Sequence, residues 1–151
     1  MLDNPARLYY SQAMTMSDLG QALMSVAILQ YAVGPLIADL NRSHAANPAW
    51  PSHARFHVVS QTLAGSMIGL AALFFLWSGR VDLPVGICIA TILSLAVLGS
   101  FFIALFSAPI YGGSGNAGSG IALIKMGRID GNVANFGLSM ALLLIGRLLA
   151  A

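Results

Sequence analysis

Three histidines lie within fourteen positions of one another, and the chain contains no others. His53 and His57 are four residues apart, the spacing that places two side chains on one face of a helix. Two imidazoles at this spacing can share a transition metal ion, and His44 is a candidate third ligand. The same pattern is also typical of interfacial residues that bond to lipid headgroups, water and loop carbonyls. Both interpretations stay open at this point.

Several other polar residues accompany the histidines and could orient them or bind a substrate. Asp39 is a candidate ligand or a carboxylate partner for an imidazole. The guanidinium of Arg55 is suited to a lipid phosphate, a substrate carboxylate or an ion pair with an aspartate. The further candidates for orienting a substrate or binding a headgroup are Arg55, Asn47, Gln61, Asp130 and Asn116.

Two other patterns do not indicate chemistry. Residues 113–118 match the Gly-x-Gly-x-x-Gly pattern of dinucleotide-binding proteins. That pattern requires a preceding strand and a following helix within a βαβ unit, whereas here it follows a long apolar segment. Cys88 is the one cysteine of the chain and lies inside an apolar run, so an intrachain disulfide is excluded. No dinucleotide is predicted, and the cofactor stays undetermined, with a transition metal at the histidines as the candidate.

The composition indicates a protein that is covered largely by lipid. Hydrophobic residues make up 58% of the 151-residue chain and charged residues 8%, with no glutamate. Soluble domains carry about 25% charged residues, and they need that charge to cover a water-exposed surface. The formal net charge of +2 comes from scattered basic residues, which argues against nucleic-acid binding.

The elements that must position the candidate residues are four apolar segments. A helix of about 20 residues crosses the hydrocarbon layer of a bilayer. Segments of this kind cover about 18–40, 53–77, 84–106 and 133–149. We therefore predict an all-α membrane protein with a single domain over 1–151. It is a four-helix transmembrane bundle of up-down-up-down topology, preceded by a short interfacial N-terminal segment.

Individual residues make this prediction more specific. Pro35 is expected to kink or end the first helix near Gly34, because proline removes one helical hydrogen bond. Ser52 is expected to cap the second helix. Within the same helix, residues 65–69 form a Gly-x-x-x-Gly motif that permits close approach of a neighbouring helix. The hydroxyl of Tyr31, in mid-span, needs a partner, which we expect near Gln30 or on the second helix.

An even number of crossings places the connections 1–2 and 3–4 on the same side of the membrane. The histidines, Asn116 and Asp130 would then share one face. We predict a non-catalytic accessory, assembly or lipid-binding membrane component, with membrane lipid and a larger membrane complex or a homo-oligomer as partners. The alternative is a small membrane enzyme or binding protein with a histidine-lined pocket for a lipophilic substrate.

Overall fold

A computed structural model describes residues 14–113 and 131–150, and all regular structure within them is helical. The four helices are α1 (Met16–Asp39), α2 (Ser52–Trp77), α3 (Leu83–Tyr111) and α4 (Gly131–Leu149). Each is long and apolar enough to cross a membrane. The predicted four-helix transmembrane bundle is therefore confirmed, and its composition and helix lengths are those of a multi-pass membrane protein. Most of the proposed interfacial N-terminal segment lies outside the described residues.

The first helix begins and ends on local hydrogen bonds. Thr15 and Asp18 form a reciprocal capping box, in which the Thr15 hydroxyl accepts from the Asp18 amide at 3.1 Å and the Asp18 carboxylate accepts from the Thr15 amide at 2.9 Å. This arrangement satisfies amides that a helix start leaves unpaired. The helix then continues through Pro35 to Asp39, so the proline does not end it near Gly34.

The ends of α2 and α3 depend on backbone geometry more than on side-chain caps. Pro51 occupies the cap position of α2 without a side-chain bond, and Ser52 is the first helical residue, so the predicted serine cap is wrong. Helix α3 extends to Tyr111, and Gly112 then adopts a left-handed conformation with φ of 67°. Glycine takes this conformation without steric cost, and the amides of Gly112 and Gly113 both donate to the Ala108 carbonyl.

Helix α1 is the central element of the bundle. It packs along α4 and α2, while α2 also packs on α3 and the contact between α3 and α4 is smaller. Near the start of α1, Gly20 faces Gly146 so closely that a Cβ on either residue would lie 2.6 Å from the other's carbonyl oxygen. In the predicted Gly-x-x-x-Gly motif only Gly69 makes such an approach, against Ala32, because Gly65 has ordinary space around it.

A buried hydrogen bond ties α1 to α3 through the core. The Tyr31 hydroxyl lies 3.1 Å from the Ser94 hydroxyl, and both side chains are buried. The expected partner near Gln30 or on the second helix is therefore wrong. The pair sits within an apolar cluster that includes Met24, Ile28 and Leu98. A tyrosine hydroxyl buried in this way is stable only with a partner, and the third helix supplies it.

The contacts between helices establish which ends meet. Ala32 packs on Gly69, Gly34 lies near Asn135, and Phe101 stacks on Phe136 with ring centroids 4.1 Å apart. A second contact for each couple of helices fixes their directions: Gly20 with Gly146 for α1 and α4, Ser25 with Trp77 for α1 and α2, and Gly65 with Val97 beside Gly86 with Phe75 for α2 and α3. Neighbouring helices therefore run in opposite directions. The end of α1, the start of α2, the end of α3 and the start of α4 therefore lie at one end of the bundle, which we call the loop face. This is the side on which the sequence places the histidines.

Candidate functional site

The connection between α1 and α2 is folded by its two asparagines. The side-chain amide of Asn41 donates to the carbonyls of Ile37 at 3.1 Å and Ala38 at 2.7 Å, which caps the end of α1. Asn47 donates to the Ser43 carbonyl at 3.1 Å and accepts from the Ala49 amide at 3.0 Å. Both side chains are thus used to hold turns. Asn47, a candidate substrate-orienting residue, serves the loop itself in this structure.

His44 belongs to a cluster at the end of α1. Its Nδ1 lies 2.8 Å from the Ser43 hydroxyl, and its ring packs edge-on against Trp50 with centroids 5.2 Å apart. Asp39 lies close enough to His44 for an electrostatic interaction, and it faces Thr62, a buried residue of α2. This cluster brings a carboxylate, an imidazole and a hydroxyl together at the loop face.

His53 and His57 form a separate pair on the first turns of α2. Their Nε2 atoms are 3.0 Å apart, and the two rings are perpendicular with centroids 4.4 Å apart. Both residues are exposed. The ring of Phe56 contacts His57 edge-on at a centroid distance of 5.8 Å. The helical spacing read from the sequence therefore does bring these two imidazoles into direct contact.

The histidines do not form one ligand set within the described residues. No group of three or more histidine, cysteine or acidic side chains able to hold a metal occurs in residues 14–113 and 131–150. His44 lies with Asp39 instead of completing the pair on α2. Gln61, the next position of the histidine stripe, is exposed. Asn116 and Asp130 lie outside the described residues.

Arg55 is half-buried beside this region. Its Nε atom is shielded from solvent and has no hydrogen-bond partner. A guanidinium normally satisfies its donors in a fixed fork geometry, so an unpaired Nε is a polar group that an anionic or carbonyl oxygen would stabilise. The sequence suggested an ion pair between Arg55 and an aspartate as one alternative. The structure shows no such contact between Arg55 and Asp39.

A second polar site lies within the membrane-spanning part of the bundle and was not singled out from the sequence. The Gln30 side-chain nitrogen on α1 donates to the Asn135 side-chain oxygen on α4 at 3.0 Å. The other Gln30 atom, Oε1, is buried and has no partner. The sequence does show a glutamine and an asparagine inside two apolar spans. It does not show that they pair, because the pairing depends on how α1 packs against α4.

This amide pair forms part of a lateral groove between α1 and α4. The groove has a volume of about 530 Å³ and is lined by Val26, Leu29, Gln30, Val33, Gly34 and Asn135. Small-molecule sites commonly measure about 300–1,000 Å³, so this groove has the size of a ligand site. Its aliphatic residues Val26, Leu29 and Val33 are exposed on the outside of the bundle.

The depth of the groove follows from the length of α1. Gln30 precedes the end of the helix at Asp39 by nine residues, which corresponds to about 13 Å along the helix axis at 1.5 Å per residue. The hydrocarbon half-thickness of a bilayer is about 15 Å. A placement of Asp39 at the membrane boundary would put the Gln30 amide close to the bilayer midplane, where an unpaired amide oxygen has no water to bond.

Comparison with known proteins places the chain in one family. Residues 23–143 match a family of unknown function, DUF6640. The match covers the amide groove, the α1–α2 connection and the histidine pair. No curated protein and no solved structure is significantly similar to the chain.

Proposed function

We propose that this chain, which belongs to the DUF6640 family of unknown function, is a non-catalytic lipid-binding component of a membrane. The lipid would occupy the lateral groove between α1 and α4. The observation that carries the proposal is the Gln30–Asn135 amide pair in an otherwise apolar groove on the outside of the bundle. Three physical properties of that groove support the proposal.

The first property is the energetic cost of the amide pair. A buried acceptor without a hydrogen bond costs about 1–3 kcal/mol. Gln30 incurs this cost at Oε1 while its nitrogen bonds to Asn135. An aliphatic residue at position 30 would avoid the penalty, so the amide is understandable if a ligand supplies the missing donor. A lipid with a hydroxyl or amide N–H group would do so after rotation of the Gln30 side chain brings Oε1, which is shielded in this structure, to the groove.

The second property is access from the lipid phase. Val26, Leu29 and Val33 are each between 43% and 51% exposed, so the groove opens sideways into the hydrocarbon. Water-soluble ligands are therefore disfavoured, and an acyl or isoprenoid chain fits the aliphatic walls. Gly34 lacks a side chain next to the Asn135 amide, which leaves that donor reachable from the same groove.

The third property is the absence of an assembled catalytic group in the groove. Its lining consists of four aliphatic residues or glycine together with the two amides. Amide side chains neither transfer protons nor act as nucleophiles near neutral pH. The arrangement can therefore bind and orient a lipid through hydrogen bonds and apolar contact, and the described residues that line it include no group for bond cleavage.

The test is to measure the lipids that copurify with the protein. The wild type, Gln30→Leu and Val33→Phe are purified in mild detergent, and bound lipid is quantified by mass spectrometry. We expect one lipid class to be enriched over its share of the host membrane. Loss of one hydrogen bond should weaken its retention by about ten-fold in Gln30→Leu, and the larger ring of Val33→Phe should block the groove.

Matched controls separate groove effects from general ones. Ser100→Leu replaces an exposed polar residue on α3, and Val85→Phe enlarges a similarly exposed valine on the same helix. Both should retain lipid as the wild type does. An identical lipid complement in Gln30→Leu, Val33→Phe and the wild type would refute the lipid-binding proposal.

A second candidate function is a small membrane enzyme or binding protein at the loop face that acts on a lipophilic substrate. The proximity of Asp39 to His44 and Thr62 favours it, because a carboxylate near an imidazole can assist proton transfer by that imidazole. Comparing total membrane lipids from cells that produce the wild type or Asp39→Asn distinguishes the two. A product formed only with the wild type indicates an enzyme, whereas unchanged total lipid supports the non-catalytic role.

An accessory or assembly role is compatible with lipid binding. It would involve protein partners that contact the outside of the bundle. Small residues already bring α1 and α4 into backbone contact at Gly20 and Gly146, and the outer faces of the helices are apolar. We propose that these outer faces meet a larger membrane complex or a second copy of the chain. Native electrophoresis and light scattering in mild detergent test this role, since a monodisperse monomer that binds lipid would argue against it.

A further inference from the structure

We infer that His53 and His57 form a two-nitrogen binding site for a divalent transition metal ion that prefers ligands at right angles, Cu(II) before others. The inference does not depend on the lipid groove, which is lined by other residues. It concerns only the exposed pair at the start of α2. His44 and Asp39 have no part in it.

The distance between the imidazole nitrogens defines the geometry. With metal–nitrogen bonds of about 2.0–2.1 Å, the 3.0 Å separation of the two Nε2 atoms gives a nitrogen–metal–nitrogen angle of about 95°. Adjacent ligands in square-planar or octahedral complexes subtend about 90°, whereas tetrahedral ligands subtend about 109°. The pair therefore fits a tetragonal ion without rearrangement of the helix.

The position of the pair on α2 keeps the geometry fixed. Both histidines lie within one continuous helix that begins at Ser52, so their Cα positions are set by helical geometry. Phe56 packs against the His57 ring. The two Nε2 atoms face each other at hydrogen-bond distance, so rotation of the two rings directs both lone pairs to one ion once each imidazole carries its proton on Nδ1.

The coordination shell would remain open on the solvent side. Both residues are exposed, and the described residues supply no third acidic, cysteine or histidine ligand. A structural zinc site normally has four protein ligands, whereas this site has two. Among first-row divalent ions, affinity for nitrogen ligands is highest for Cu(II). Water or an oxygen donor at the membrane surface would complete its coordination.

The alternative explanation is a simple hydrogen bond between two neutral imidazoles, and binding of the metal distinguishes the two. Purified protein in detergent is titrated with Cu(II) against a competing chelator. The wild type should bind one ion at this site, with an electron paramagnetic resonance spectrum that shows coupling to two imidazole nitrogens. His53→Ala and His57→Ala should each weaken binding by about ten-fold or more, in line with the known sensitivity of metal sites to changes in their ligands.

His44→Ala is the matched control, because it removes the remaining histidine of the chain and leaves the pair intact. It should bind Cu(II) with unchanged affinity and give the wild-type spectrum. Circular dichroism of each variant checks that the helices are retained, which we expect because both substituted side chains are exposed. Equal affinity in the wild type, His53→Ala and His57→Ala, or a spectrum without two-nitrogen coupling, would overturn the inference.

Discussion

The close contact between α1 and α4 makes Gly20→Ala a sensitive test of the bundle. A Cβ added at Gly20 would lie 2.6 Å from the carbonyl oxygen of Gly146 and 2.6 Å from the amide nitrogen of Ala150. Ordinary contact begins at 3.4 Å, and the obstructing atoms are backbone atoms, which cannot rotate away. The two helices must therefore separate by about 0.8 Å at this point, the difference between the two distances.

The cost of that separation can be worked out from the neighbouring packing. A radial gap of about 0.5–1 Å forfeits a quarter to a half of the dispersion energy across it. The fully buried Met24 lies at the same contact, next to Gly146. Overpacking of this kind destabilises proteins by about 1–3 kcal/mol. Alanine also has a higher helix propensity than glycine, by about 1 kcal/mol, so a single variant would show only the net effect.

Gly99→Ala isolates the steric contribution. Gly99 lies inside α3, and a Cβ there meets nothing within 4 Å, so this variant gains the helix propensity without a clash. The free energy of unfolding is measured for both variants by denaturant titration in detergent micelles, followed by circular dichroism. We expect Gly20→Ala to be less stable than Gly99→Ala by about 1–3 kcal/mol. Equal stability of the two variants would refute the proposed backbone contact between α1 and α4.

Two further predictions use the same unfolding assay or the lipid assay. Tyr31→Phe should lower the free energy of unfolding by about 0.5–1.5 kcal/mol, because Ser94 keeps its bond to the Ala90 carbonyl at 2.7 Å; a loss above about 3 kcal/mol would contradict this reasoning. Gly34→Ala should leave stability unchanged or higher, since its Cβ would be 3.5 Å from the Asn135 amide. The same methyl group should reduce lipid retention in the groove, and undiminished retention would argue against the proposed lipid site.

The four helices could be predicted from the sequence because the bilayer imposes a simple length and polarity requirement. Helix ends were harder to predict. The end of α3 at Tyr111 depends on the left-handed Gly112, whereas the apolar pattern ends the third segment near 106. The start of α2 shows the same limit, since Ser52 is a suitable cap by residue type but Pro51 occupies the cap position.

The histidine pair could be predicted from the sequence, whereas the amide pair of the groove could not. The contact of His53 with His57 follows from helical spacing, which is local information. The bond between Gln30 and Asn135 joins residues 105 positions apart, and nothing in the sequence fixes the rotation of α1 against α4. Tyr31 illustrates the same point, because its partner lies on α3 and not on the second helix.

The separation of Gln30 and Asn135 also has a consequence for biogenesis. Translation proceeds at about 5–20 residues per second, so the 105 positions between them correspond to about 5–20 s of synthesis. During that interval α1 is made but its amide lacks the partner on α4, so the nascent chain presents an unpaired polar group to the insertion machinery.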